Sequence, residues 1–445
     1  MPRRSSRREF LQHTTLAAAA GASLPYWFSG VQTMADDARS PNERPRAGCI
    51  GNGGMGRGDG NNVKRYADIV ANCDVDREHA EKFKAEIAAG KSEIYEDYRA
   101  LLDRNDIDVV TISTPDHWHT RIAIAALRSG KDVYCQKPLT LTIAEGKLLR
   151  DVVKETGRVL QVGTQQRSEY NNMFLKAVAL CHGGRIGKLQ RVTVAIGGAP
   201  SGGPFPKVAV PEALNWDLWQ GQTPAVEYIK ERGHRNFRWW YEYSGGKLTD
   251  WGAHHVDIAQ WGIGMQETGP TKVEVQSAEH PVEFQGGMPT VDDCYNTATT
   301  FRIRCEFPNG VEMIIRDRAD ELGFDNGIMF EGSEGRFFVN RGKLTGEAVD
   351  ALAQNPIDEA TLVALRKGKR IDRHMGNFIE CCRDGGLPAS DVYTHHRILT
   401  TCHLANIAMR LKRNLRWNPE TEQIVGDDEA NAMQSRDQRK GYEVA

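Results

Sequence analysis

Three residues, two of them close together and one more than a hundred positions earlier, have the types needed to oxidise an alcohol. Asp250 and His254 stand four positions apart. On a helix they share a face, and a carboxylate that orients a histidine is a recognisable general-base arrangement. Lys137 follows the apolar run Asp132-Val133-Tyr134-Cys135 and precedes Pro138. That position puts an ammonium group at a strand end, where it could hydrogen-bond a developing alkoxide. Removing a hydroxyl proton while hydride leaves the same carbon is alcohol oxidation. The residues alone leave a second reading open, with Thr249 or Asp250 as a helix cap, His254 as a core histidine and Lys137 as a solvated loop lysine.

Hydride needs an acceptor, and Cys49-Ile50-Gly51-Asn52-Gly53-Gly54-Met55-Gly56 offers a place for one. With residues 46–50 as a strand, Gly51, Gly53 and Gly56 match G-x-G-x-x-G. The first glycine turns the chain, the second lets a pyrophosphate approach the backbone, and the third lets helix and strand pack closely. Gly54 and Met55 then fall at the helix start, where the pyrophosphate would sit. Asp74 ends a short apolar run about 20 residues past the glycines, where a ribose-binding carboxylate is expected. Accepting from both ribose hydroxyls, it would favour NAD over NADP, although Arg77 keeps NADP open.

The elements around these residues alternate. Residues 78–89 are helical by composition, 98–102 start a short helix, 107–113 read as a buried strand and 122–127 have helical spacing. Strands alternating with helices give an α/β fold with a doubly wound parallel Rossmann sheet. Ligands of such sheets bind beyond the carboxyl ends of the strands. Thr114, Pro115 and His119 follow one strand and Lys137 follows another, so all four face that crevice. Further on, Gly163-Thr164-Gln165-Gln166-Arg167 follows a strand at 159–162. Trp216, Trp219, Phe237, Trp239, Trp240, Tyr241 and Tyr243 crowd the approach to Asp250, with Arg235 and Arg238 among them. Ring faces beside fixed donors suit a sugar, although core and subunit contacts would use many of the same rings. Residues 191–196, 272–276, 296–307, 311–316 and 327–331 read as strands of an open, largely antiparallel sheet, and 373–383 and 395–411 as late helices.

Composition narrows the function. Lys+Arg 57 against Asp+Glu 59 gives a net charge of −2, so nothing global recruits nucleic acid or an acidic membrane. The nine cysteines are scattered without C-x-x-C, which argues against a disulfide framework and a zinc site. His117, His119, Asp250, His254 and His255 match neither H-E-x-x-H nor a facial triad, and no metal is expected.

Residues 1–35 read as a leader. Ser6-Arg7-Arg8-Glu9-Phe10-Leu11-Gln12 resembles the twin-arginine export signal. The apolar stretch at 14–24 falls short of the roughly 18 to 20 residues that span a bilayer. The resemblance implies the twin-arginine translocase as a partner, a periplasmic or otherwise exported location, no stable membrane insertion after processing, and export of an already folded, cofactor-loaded protein. Residues 36–45 read as a linker, 46–165 as the dinucleotide-binding domain, 166–425 as an α/β substrate and oligomerisation domain, and 426–445 as a tail.

Taken in order, Gly51 to Gly56, Asp74, Thr114-Pro115 with His119, Gln136-Lys137-Pro138 and Gly245-Gly246-Lys247-Leu248-Thr249-Asp250-Trp251-Gly252-Ala253-His254-His255-Val256-Asp257 resemble the Gfo/Idh/MocA family of NAD(P)-dependent oxidoreductases. That is the family of glucose-fructose oxidoreductase and inositol dehydrogenase. One departure is Gln136, where the family usually has glutamate. The resemblance implies a secondary hydroxyl of a sugar, sugar acid or polyol as substrate and a tightly bound NAD, with NADP as the alternative. It also implies Lys137, Asp250 and His254 as the catalytic set, and a homo-oligomer. Arg167, Trp240, Trp251 and His255 are expected at the substrate. A redox-neutral glycosidase that oxidises its substrate transiently would use the same set, and a non-catalytic sugar-binding protein would keep the fold without it.

Overall fold

The computed structural model describes residues 44–369 and 373–444. The leader and residues 36–43 of the linker lie outside the described residues. Apolar runs without alternation, such as Val109–Ile112, form strands buried on both faces, and parallel strands need crossover helices to cover them. Strands β1 (Arg46–Ile50), β2 (Asp68–Cys73), β3 (Glu93–Tyr95), β4 (Val109–Ile112), β5 (Asp132–Cys135) and β6 (Leu160–Val162) form one sheet in the order β3-β2-β1-β4-β5-β6. Neighbouring pairs are parallel throughout. The order reverses between β1 and β4, which opens the ligand crevice at their carboxyl ends.

Local signals set the crossover helices. Helix α1 (Gly54–Val63) starts on Gly53 with no side-chain cap. Asp76 caps α2 (Arg77–Glu86), accepting from the Glu78 and His79 amides. Helix α3 spans Asp116–Arg128. Thr142 caps α4 (Ile143–Thr156), which ends on Gly157 at φ +64°, a left-handed conformation that glycine adopts without strain.

The second sheet contains β7 (Leu189–Ile196), β8 (Lys272–Glu279), β11 (Thr300–Glu306), β12 (Glu312–Arg316), β13 (Asn326–Gly332), β14 (Gly335–Val339), β15 (Leu344–Thr345), β16 (Leu415–Asn418) and β17 (Gln423–Ile424). A short hairpin, β9 (Phe284–Gln285) and β10 (Met288–Pro289), stands apart from it. The order is β15-β14-β13-β7-β12-β11-β8-β16-β17. Among the described pairs of this second sheet, only β7 and β12 run parallel. Strand β11 shows why one face is covered and the other open. Phe301, Ile303 and Cys305 are buried, while Arg302 and Arg304 between them are not. Arg304 lies 2.6 Å from Glu274 and 2.9 Å from Glu312 on neighbouring strands. Such alternation is the mark of a half-buried antiparallel strand.

Helices α5 (Gly246–Asp250), α6 (Gly252–Gly262) and α7 (Val392–Leu411) complete the parts that place the site. Trp251 between α5 and α6 has φ −82° and ψ −29°, so the two run on almost as one helix. Asp391 caps the twenty-residue α7, which packs against α4, α6, β6 and β8. The C-terminal stretch docks as well. Arg439 Nε donates to the Gly221 carbonyl at 2.8 Å, and the Tyr442 hydroxyl donates to Asp217 at 2.7 Å. All nine cysteines are free thiols.

Candidate active site

The glycine loop is held by close backbone approaches. Gly51 turns at φ +82°, and a Cβ there would lie 2.5 Å from the Thr114 nitrogen. A Cβ on Gly56 would lie 1.8 Å from the Gly51 carbonyl oxygen, so only glycine lets α1 start this close to β1. Gly54, by contrast, has nothing within 4 Å of its Cβ position. A cleft of about 420 Å³ runs from this loop past Met55, Asp74, Asp76 and His79 to Thr114, Pro115, His119 and Lys137. Trp219, His234, Phe237 and Arg238 line it from the far side.

These residues fit a dinucleotide. The uncapped first turn of α1 leaves amide donors for a pyrophosphate. Asp74 is fixed for a ribose, accepting from the Asn52 amide at 2.6 Å and the Asp76 amide at 2.9 Å. Thr114 Oγ1 is buried with no partner of its own. His119 lines the cleft and also braces it. Its Nδ1 lies 2.7 Å from the Pro138 carbonyl and its Nε2 2.9 Å from the Thr114 carbonyl, so the ring ties the ends of β4 and β5 together. Burial pushes its pKa down to about 4.

Gln136 has a partner the sequence did not suggest. Its Nε2 donates to both oxygens of Asp59 on α1, at 3.0 and 2.8 Å, and the Ser113 hydroxyl donates to the same carboxylate at 2.7 Å. A glutamate at position 136 would face a second buried carboxylate. The amide makes the contact attractive, and Asp59 supplies from the helix the charge that position 136 lacks. Burial pushes the Asp59 carboxyl up from 3.8 to about 6, against the Ser113 and Gln136 hydrogen bonds. An acid whose folded pKa lies above its unfolded value withdraws stability as pH rises through that interval. Asp59→Asn is therefore expected to gain on the wild type in denaturation midpoint as pH rises from 3.8 to about 6, in cofactor-free protein. A difference that stays constant with pH would contradict this.

Lys137 meets Asp250 across the cleft floor. Its Nζ donates to Asp250 Oδ1 and, at 3.2 Å, to the Asp250 carbonyl. Arg238 Nε adds a contact of 3.5 Å to Asp250 Oδ1. Burial works to raise the Asp250 pKa, but the Lys137 and Arg238 charges outweigh it and hold it at about 2. The anticipated pairing of Asp250 with His254 is not made. The carboxylate is taken by the lysine, and His254 Nδ1 is buried without a partner. Burial, with the Lys137 and Arg341 charges nearby, keeps the His254 imidazole neutral, its pKa well below the usual value.

Three residues expected at the substrate lie in the core. Arg167 holds Asp257 in a bidentate pair, Nε and Nη2 each at 2.7 Å, and gives Nη1 to the Ala389 carbonyl at 2.9 Å. His255 is fully buried. It accepts from Gln166 at 3.1 Å and donates to Asn326 at 3.0 Å. Trp240 is also fully buried, its indole N–H on the Glu231 carbonyl and its face under the Arg232 guanidinium. Each is buried and spends hydrogen bonds on partners inside the protein. Trp251 is half-buried, with Arg341 4.6 Å and Lys247 5.8 Å from its ring.

The histidines grouped in the sequence do not gather around one point. His117 rests on the Trp219 carbonyl at 2.8 Å, and His255 on Gln166 and Asn326. Among the described residues, the set that does converge is Asp76, His79 and His234, with ligand atoms within 4.8 Å of one another at the ribose end of the cleft. Sequence reasoning passed over Asp59, Lys247 and Arg341. Asp59 had a signal, standing three residues after Gly56 and so on the same buried helix face. Arg341, in the turn after β14, had none.

Known proteins support the fold and its ligand. Residues 46–164 match an oxidoreductase family's NAD-binding Rossmann fold, and residues 203–444 match its C-terminal alpha/beta domain. Myo-inositol 2-dehydrogenase of Thermotoga maritima is 24% identical over 344 residues, 77% of this chain and 85% of that protein. The NAD(+)-dependent scyllo-inositol 2-dehydrogenase of Bacillus subtilis is 27% identical over 296 residues, 66% of this chain and 72% of that protein. The crystal structure of the WlbA dehydrogenase from Bordetella pertussis, in complex with NADH and UDP-GlcNAcA, superposes with a TM-score of 0.59 at 17% identity. It covers 84% of this chain and 99% of its own. With a dinucleotide cleft at the β1–β4 switch point and both parts of the chain matched in order, the protein belongs to the Gfo/Idh/MocA family and is an NAD-dependent oxidoreductase.

Proposed function

We propose that this is an exported enzyme that oxidises a secondary hydroxyl of a sugar, sugar acid or polyol and keeps its nicotinamide cofactor bound between turnovers. The observation that carries the reading is the contact of Lys137 with Asp250. A strand-end lysine at the dinucleotide cleft is fixed by a carboxylate 113 residues away, one helical turn before a neutral histidine. When bound, the dinucleotide supplies the hydride acceptor. Asp250 holds the Lys137 ammonium in place, so a substrate oxygen beside Nζ meets a fixed positive charge as alkoxide character builds. His254 is neutral and takes the hydroxyl proton. Trp251 offers a ring face to the C–H surface of the substrate.

The leader motif supports export, and free nicotinamide nucleotide is not expected outside the cytoplasm. Recycling within the site follows, by a second substrate that takes the hydride back. The open, charged face of the second sheet is read as a subunit contact of a homo-oligomer.

The test uses purified protein without added nucleotide. Mass spectrometry of the denatured enzyme is expected to find NAD, whose ribose hydroxyls suit Asp74; NADP alone would overturn that preference. A sugar and polyol panel is then expected to reduce the bound cofactor, seen as nicotinamide absorbance. Release of aglycone from aryl glycosides with no net reduction would instead identify a redox-neutral glycosidase.

A further inference from the structure

Beyond the residues that line the dinucleotide cleft, Arg341 and Lys247 gather around Trp251. The Arg341 guanidinium lies 4.6 Å from the Trp251 ring and 4.9 Å from the Tyr170 ring. Its Nε is buried with no hydrogen-bond partner. The Lys247 ammonium lies 5.8 Å from Trp251 and 6.0 Å from Trp239. Neither cation has an ion-pair partner among the described residues. The carboxylate that faces both cations is Asp250, and Asp116 faces Asp250, Lys137 and Arg238. Asp250 is already engaged by Lys137, with Arg238 3.5 Å away. Asp116 accepts from the Ser244 hydroxyl, and burial pushes its pKa up to about 7. Asp257, nearby in sequence, is consumed by Arg167. The cofactor does not account for the surplus either. Its pyrophosphate has the first turn of α1, and Arg341 and Lys247 are not among the residues lining the cleft.

Arg341 and Lys247 are half-buried, and a charge partly withdrawn from water without an ion-pair partner persists where a ligand completes it. A planar guanidinium stacked on rings suits an oxyanion held by two parallel hydrogen bonds. We propose that Arg341 and Lys247 form an anion subsite beside Trp251, and that the substrate is an acidic carbohydrate whose carboxylate or phosphoryl group occupies it. The reacting hydroxyl lies toward Lys137 and His254. This rests on the oxidoreductase reading above, which it narrows to anionic substrates.

Binding and turnover are measured on the same cofactor-loaded protein, so that the two readings fail separately. The probes are a hexuronate, the matching neutral hexose and the hexose phosphate, followed by calorimetry and by nicotinamide absorbance. One of the two anionic sugars is expected to bind about 10- to 100-fold more tightly than the neutral hexose. Arg341→Met is expected to bring that ratio close to one through KM, Lys247→Met to lower it, and Arg341→Lys to restore part of it. The better anion identifies the group taken. Equal affinity for acidic and neutral sugars, or an anion preference that survives in both methionine variants, would overturn the subsite. Anion binding without reduction of the cofactor would uphold the subsite and count against the oxidoreductase reading alone.

Discussion

Lys137→Met is expected to lower turnover about 100- to 1,000-fold while the bound nucleotide stays in place. The magnitude is that of removing one fixed donor from a developing oxyanion. In the folded chain the Lys137 side chain is nearly buried, and its Nζ is held by both the carboxylate and the carbonyl of Asp250. It is therefore positioned before any substrate arrives, which is what makes such a donor effective. Methionine keeps the length and apolar stem but brings no charge. Nucleotide retention should survive because the glycine loop and Asp74 lie at the other end of the cleft. Loss of the lysine also removes the largest force lowering the Asp250 pKa, so some stability at neutral pH is lost with it. Occupancy by mass spectrometry and single-turnover reduction separate these effects. Turnover within tenfold of wild type in a fully loaded variant would exclude Lys137 from the chemistry.

Arg167→Met is expected to cost about 3 to 5 kcal/mol of stability, the price of breaking a buried ion pair from one side. Arg167 and Asp257 are both buried, their two contacts are 2.7 Å, and the guanidinium lies 4.8 Å from the Trp261 ring. The pair ties the segment after β6 to α6, the helix that carries His254. With the arginine gone, Asp257 is left buried without its partner. Pairing the change with Asp257→Leu is expected to recover much of the loss, because a buried pair can be replaced by apolar side chains at little net cost. Denaturant midpoints of the two variants check this. A substrate contact would behave differently, with a raised KM and an unchanged midpoint.

Arg167 also shows where reading a sequence stops. Gly163 to Arg167 follows β6 at the carboxyl edge of a parallel sheet, which is where substrate residues of such folds stand. An arginine there looks the same whether it faces a ligand or a buried aspartate 90 positions ahead. The sequence carries no local sign of which. Trp240 and His255 carry the same ambiguity. Aromatic crowding marks both sugar sites and cores, and only burial separates them. Asp250 pairs with Lys137 and not with His254. The four-residue spacing made a contact with His254 available, but a cation attracts the carboxylate more strongly than a neutral imidazole does.

What the residues determined alone is local. Gly51 and Gly56 announce a tight strand-to-helix turn because no other side chain fits the backbone contacts found there. The apolar runs at β1, β4 and β5 announce a parallel sheet because strands buried on both faces cannot alternate. Lys137 follows at a strand end, facing the crevice. The tertiary structure decided the pairings: Lys137 with Asp250, Gln136 with Asp59, Arg167 with Asp257, and the arrival of Arg341 beside Trp251. These join residues 77 to 113 positions apart, or bring in a turn from the second sheet. Propensity and periodicity act over a few residues. The choice among distant polar partners is made by the packing that brings them together and by the cost of leaving any of them buried and unpaired.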